Sequence, residues 1–218
     1  MDTVSPVLLS INAAASRQLK VGRRAVNTGL FKQPVGTSAM IAAVGIPGDF
    51  IGNFKHHGGP DQAIYLYSAD DLAWWERLLQ RRLAPGFFGE NLTISQWWDR
   101  PRIGDRFAVG DVLLELTAPR TPCATLDARV GMPGFLRTFI KAERPGAYAR
   151  VLRPGLVQAG DSLSVTPAPA AWPTITEVFR YWHGLGTDEL LLRRMLDAPI
   201  AERVRQRVVR RLADFSPV

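Results

Sequence analysis

Three stretches of the chain share one pattern. "IGDRFAVG" from Ile103, "VGDVLLEL" from Val109 and "AGDSLSV" from Ala159 each place Gly-Asp ahead of a short apolar run. Glycine tolerates the positive φ of a tight turn, and aspartate can bond its own backbone, so each stretch predicts a turn feeding a strand. "SPVLLSI" and "SAMIAAV" add two expected buried strands. "QAIYLY" (62–67) mixes aliphatic and aromatic residues as a half-buried strand does. Short strands joined by such turns point residues 1–168 toward a closed or strongly bent antiparallel barrel.

Helical signals interrupt and follow this pattern. "SADDLAWWERLLQRRLA" opens with Ser68 as an N-cap and two acids in the first turn. Leu72, Trp75 and Leu79 then form one apolar stripe, read as core. "TPAPAAWPT" (166–174) carries three prolines and predicts a semi-rigid linker. Three short helical patterns occupy 174–215. The first has a Thr174…Glu177 capping box, the second Thr187 as its cap, and the third Pro199 at or near its first turn. The expected class is therefore mixed and β-rich: a barrel domain at 1–168 and a three-helix module at 174–215 packed on it.

Composition narrows the function classes. At 46% hydrophobic and 22% charged, the 218-residue chain is globular rather than disordered. Its longest apolar stretch, "AMIAAVGI", is too short to cross a bilayer. "MDTVSPVLLSIN" lacks the basic start of a secretory leader. A single cysteine, Cys123, makes neither an intramolecular disulfide nor a zinc cluster. A cytoplasmic protein is expected. The net charge is +7, and residues 180–212 hold eight arginines against four acids. Arg203, Arg207 and Arg210 share a face at i, i+4 and i+7. That face suits nucleic acid or simply solvent, and no base-reading motif accompanies it.

Three segments hold the candidate chemistry. In "NFKHHGGPDQA" (53–63), two glycines after paired histidines let backbone come close to a ligand, and Lys55 and His57 add positive charge. The same residues could be a plain turn before a strand. In "GFFGENLTI" (86–94), Asn91 could bond a polar ligand edge or hold its own loop. In "TAPRTPCATLD" (117–127), Cys123 stands on a proline-stiffened loop three residues after Arg120, a setting that favours a thiolate over a buried filler. A thiolate serves as a nucleophile, with His56, His57 or His183 as base, or as a soft metal ligand. A metal held by one protein thiolate must bring its other ligands along, as molybdenum does when bound by a pterin dithiolene.

"KHHGGPDQAIYLY", "FGENLT", "IGDRFAVGDVLLELTAPRTPC" and the trailing helices together resemble the MOSC domain, named for the C-terminal part of molybdenum-cofactor sulfurase. The YiiM-type branch, a MOSC β-barrel followed by a three-helix tail, is the nearest in pattern. The resemblance implies a molybdenum cofactor (Mo-molybdopterin) with Cys123 as catalytic metal ligand. It implies that His57, Gly58 and Gly59 line the cofactor pocket and that Lys55, Asn91 and Arg120 contact the pterin or its phosphate. It further implies an oxidoreductase that reduces N-hydroxylated small molecules, such as N-hydroxylated purine bases or amidoximes. Its electrons would come from a separate reductase, because the chain carries no flavin, haem or iron–sulfur motif. A non-catalytic cofactor or sulfur carrier is the alternative. Close relatives often carry glutamine and lysine where this chain has Ala118 and Thr125, so Lys55 and Arg129 are candidates to supply the missing positive charge.

Overall fold

A computed structural model of the chain describes residues 5–214, apart from the Lys55 side chain. Twelve strands and seven helices follow one another. They are β1 (Leu8–Ala13), β2 (Arg17–Val21), β3 (Arg24–Thr28), β4 (Gln33–Pro34), β5 (Ser38–Ile41), α1 (Phe54–His57), β6 (Ile64–Ser68), α2 (Ala69–Leu79) and β7 (Leu92–Ile94). Then come β8 (Arg106–Val109), β9 (Val112–Pro119), α3 (Ala124–Val130), α4 (Phe135–Ala142), β10 (Ala147–Arg153), β11 (Gly155–Gln158), β12 (Ser164–Thr166), α5 (Ile175–Trp182), α6 (Glu189–Asp197) and α7 (Glu202–Ala213).

Eight strands form one sheet in the order β12-β8-β9-β10-β6-β7-β1-β4. Its ladder is open between named strands rather than a continuous closed barrel. A single bridge, Val7 to Ser162, ties its two sides, flanked by Leu8 N–H to Asp161 O at 2.8 Å and Leu163 N–H to Pro6 O at 2.7 Å. Nor is the sheet wholly antiparallel. β6 and β7 run parallel, because α2 carries the chain back to the starting edge. The three Gly-Asp turns form as the spacing predicts, with Gly104, Gly110 and Gly160 at φ of 84°, 52° and 101°.

Two expected strands differ in exposure. β6 is buried along its whole length, because it lies between β10 and β7 with a core on each face. Its side chains divide with period two: Ile64 and Leu66 enter an aliphatic core, Tyr65 and Tyr67 an aromatic one. β5, expected to be buried, pairs only with β11 in a two-stranded ribbon, and Met40 and Leu156 face each other at 49% and 56% exposure.

The aliphatic core joins β8, β9 and β10 to α5, α6 and α7. The aromatic core is centred on Trp75 of the predicted α2 stripe, which stacks on Phe139 at 5.6 Å and donates Nε1–H to the Tyr67 hydroxyl at 2.8 Å. The Thr174–Glu177 capping box forms. Asp188 rather than Thr187 caps α6, through Leu191 N–H at 2.7 Å. Pro199 lies ahead of α7, which begins at Glu202. The proline-rich link is itself packed, since a Cβ on Gly104 would lie 2.3 Å from the Trp172 ring.

Candidate functional site

Beside Tyr65 and Tyr148, at the edge of the aromatic core, lies a cavity of about 240 Å³. Two segments wall it, the end of β3 with the chain that follows it (26–32) and a loop at 49–53. They press together only because glycines stand at the contact. A Cβ on Gly29 would lie 1.6 Å from Phe50 O, and one on Gly52 2.3 Å from Asn27 O. His57, Asn91, Arg120 and Cys123, four of the sequence-predicted residues, line this one cavity.

Arg120 follows the end of β9 and is 4% exposed. Its guanidinium carbon lies 4.9 Å from the Tyr65 ring centre, a cation–π contact. Its Nε is buried without a hydrogen-bond partner, and no carboxylate pairs with it among the described residues. A guanidinium keeps its charge in proteins. A buried cation without an anion is costly, so the protein places here a charge that a ligand can balance. Gln62 repeats the pattern: it lines the cavity, is buried, and its Nε2 has no acceptor.

Cys123 is half-buried at the start of α3, in extended backbone at φ −133°, and makes no capping bond. Its thiol is thus not consumed by local structure. Among the described residues, no three of His, Cys, Asp and Glu gather to hold a metal by themselves.

His57 ends α1, and its Nδ1 lies 3.2 Å from the Tyr148 hydroxyl. Burial and then the Arg120 and Arg203 charges push its pKa down to about 3. It is therefore a neutral imidazole at physiological pH, able to donate and accept. Gly58 and Gly59 do not line the cavity. What approaches Gly58 is the chain's own Phe54 ring, 2.8 Å from where a Cβ would stand, while Gly59 turns the chain at φ 92°. Lys55 lies on α1, and its side chain falls outside the described residues.

Asn91 is committed to the wall. Its Oδ1 accepts from Tyr65 N–H at 3.2 Å, and its amide donates to Asp49 Oδ2 at 2.9 Å and Asn12 O at 3.3 Å. Asp49 pairs with Lys32, a buried cation that sequence reasoning missed. Burial lowers the Lys32 pKa against the pull of Asp49. Glu90 is fully buried. Its Oε1 accepts from Gly86 N–H at 2.6 Å, while Oε2 has no partner, and burial raises its pKa to about 7. Arg129 does not line the cavity; its Nη1 donates to Leu30 O at 2.5 Å behind the wall. Tyr65 was legible only as a strand residue, Tyr148 stood in no predicted element, and segments 26–32 and 49–53 carried no motif.

A sequence profile of the MOSC domain matches residues 53–164, a little over half of the chain. The chain belongs to the MOSC domain family. MOSC domains are associated in general with binding of the molybdenum cofactor. The uncharacterized protein YflK of Bacillus subtilis (strain 168) is 31% identical over 159 residues, 72% of each chain. A protein named "Reductase" from Gibberella moniliformis is 32% identical over 168 residues, 75% of this chain but only 30% of that one. The crystal structure of YiiM from Geobacillus stearothermophilus has the same fold as this MOSC protein. The TM-score is 0.78 at 22% identity, over 95% of this chain and 99% of that one. The likeness therefore includes the C-terminal helices. Ten of the twenty-one cavity residues, Val26 to Gly52, precede the matched segment.

Proposed function

We propose that this MOSC protein binds a molybdenum cofactor in the cavity and is an oxidoreductase that reduces N-hydroxylated small molecules, with electrons from a separate reductase. The observation that carries the reading is Arg120. It is a buried, unpaired guanidinium in a cavity that also holds a free thiol and an unsatisfied amide donor. Donors without acceptors fit an anionic, acceptor-rich ligand, and a phosphorylated pterin dithiolene is one.

The residues divide the work. Cys123 supplies the protein thiolate to the metal. Arg120, backed by Lys32, holds the anionic end of the cofactor, and Gln62 bonds an acceptor edge. Asn91 fixes the Asp49 loop and so the wall. Breaking one N–O bond to give N–H and water takes two electrons and two protons; the cofactor, when bound, supplies the two-electron chemistry. His57 and the Tyr148 hydroxyl form a hydrogen-bonded neutral pair at the cavity, placed to orient a ligand by donating and accepting hydrogen bonds. No helix among the described residues is long and apolar enough to cross a membrane.

The test is molybdenum analysis of protein from a host that makes the cofactor, followed by turnover of an N-hydroxylated purine with an artificial electron donor. Molybdenum near one atom per chain together with turnover supports the reading. Molybdenum without turnover points to the carrier alternative. No molybdenum, even after loading with isolated cofactor, overturns both.

A further inference from the structure

The C-terminal helices lie outside the matched MOSC segment, yet their last helix is tied to the segments that carry His57 and the Arg120–Cys123 pair into the cavity. Ala201 N–H donates to Thr117 O at 3.0 Å, at the root of the Arg120–Cys123 loop. One residue on, Glu202 N–H donates to Asp61 Oδ2 at 2.8 Å, at the root of the segment that carries His57. The other Asp61 oxygen pairs with Arg150 at 2.8 Å, and Arg150 also donates to Pro199 O at 3.0 Å. The start of α7 is thereby fixed from three sides.

At the second residue of α7, Arg203 reaches α1 itself, next to His57. Its Nη1 donates to His56 O at 3.0 Å, and its guanidinium lies over the Trp182 ring at 4.9 Å. It is half-buried and has no ion pair among the described residues. The groups around it are Arg207 on its own helix, which shares the Trp182 ring at 4.4 Å, His57 on α1 and Tyr148 on β10. None of these gives Arg203 a carboxylate. The face expected to present arginines to solvent or nucleic acid is thus partly spent on α5 and on α1.

We infer that Arg203 is a positioning residue of the cavity: from the C-terminal module it holds the His56 carbonyl and so presents His57 to Tyr148. The positive charge behind His57 also works against its protonation. The helical tail then completes the site rather than decorating it. The inference rests on the proposed function only in taking the cavity as the ligand site.

The test uses the cofactor-free full chain, so a failure of the molybdenum reading leaves it standing. Hydrogen exchange is followed at the amides of His56, His57 and Gly58, which bond Asn53 O and Phe54 O in the wild type. Ring signals of labelled histidines are titrated in parallel. In R203A, these three amides should exchange at least tenfold faster, while those of β9 and α6 keep wild-type rates. The His57 midpoint should move up. R203K, which keeps the charge, should hold the His57 midpoint near that of the wild type. Unchanged exchange at these amides and an unmoved His57 midpoint in folded R203A overturn the inference. Should R203A not fold, R203Q keeps the stem over Trp182 without the charge, and an unmoved His57 midpoint there is equally fatal.

Discussion

The guanidinium of Arg120 lies 4.9 Å from the centre of the Tyr65 ring, and the Tyr65 hydroxyl donates to Pro145 O at 2.8 Å. The ring cannot swing away without losing that bond, so the cation is held from below and left open toward the cavity. Its position serves ligand binding at the expense of stability, because a buried charge without an anion costs free energy.

Replacing Arg120 should therefore separate the two. R120M removes the charge and keeps most of the stem. In urea melts of cofactor-free protein it should be as stable as the wild type or more so, by about 1–3 kcal/mol. Molybdenum retained after expression with cofactor synthesis should fall at least tenfold. A clear loss of stability in the cofactor-free protein would show that Arg120 has a structural partner.

Cys123 is half-buried and makes no capping bond. Its side chain packs on the margin of the aromatic core, so C123A, which removes only one partly buried sulfur, should lower the thermal midpoint of the cofactor-free chain by no more than about 4 °C. It should abolish molybdenum retention, read by elemental analysis. Molybdenum at the wild-type level in C123A removes the thiol from the metal site.

Glu90 predicts a pH effect with a definite sign. Its folded pKa is raised from 4.5 to about 7 by burial. Between those values the folded chain holds a proton that the unfolded chain has released. Stability should thus fall as pH rises from about 4.5 to about 7 and level off beyond, by up to about 3 kcal/mol. E90Q keeps an acceptor for Gly86 N–H and has no proton to lose. Denaturant melts should show it matching the wild type near pH 4.5 and exceeding it at pH 8. Parallel curves across this range would mean that Glu90 stays ionised in the folded chain.

Trp75 touches Phe88, Phe135 and Phe139 with ring centres 5.5–5.6 Å away. W75A should cost about 3–5 kcal/mol in equilibrium denaturation, the usual loss for a large aromatic in a packed core. A cost under about 1 kcal/mol would mean that the aromatic core repacks freely.

Local signals were legible because local chemistry decides them. Ser68 caps α2, Thr174 and Glu177 form their box, and Gly104, Gly110 and Gly160 turn the chain with positive φ. HGGPD, FGENL and PR-x-PC named four residues that do meet in one cavity. Gly58 shows the limit. Its lack of a side chain was read as room for a ligand, but the Phe54 ring takes that room.

By itself the sequence determined the strand-rich class, the Gly-Asp turns, the caps at Ser68 and Thr174, the family and the thiol beside an arginine. These depend on a residue and its near neighbours, or on motifs in fixed order. Only the tertiary structure decided that β6 is buried on both faces, and that its Tyr65 meets Tyr148 of β10 at the cavity. It alone placed Lys32 and Asp49 against Asn91, left Arg120 without an anion, and brought Arg203 to the His56 carbonyl. Each of these contacts joins residues far apart in the chain through sheet order and helix packing, so no window of sequence contains both partners.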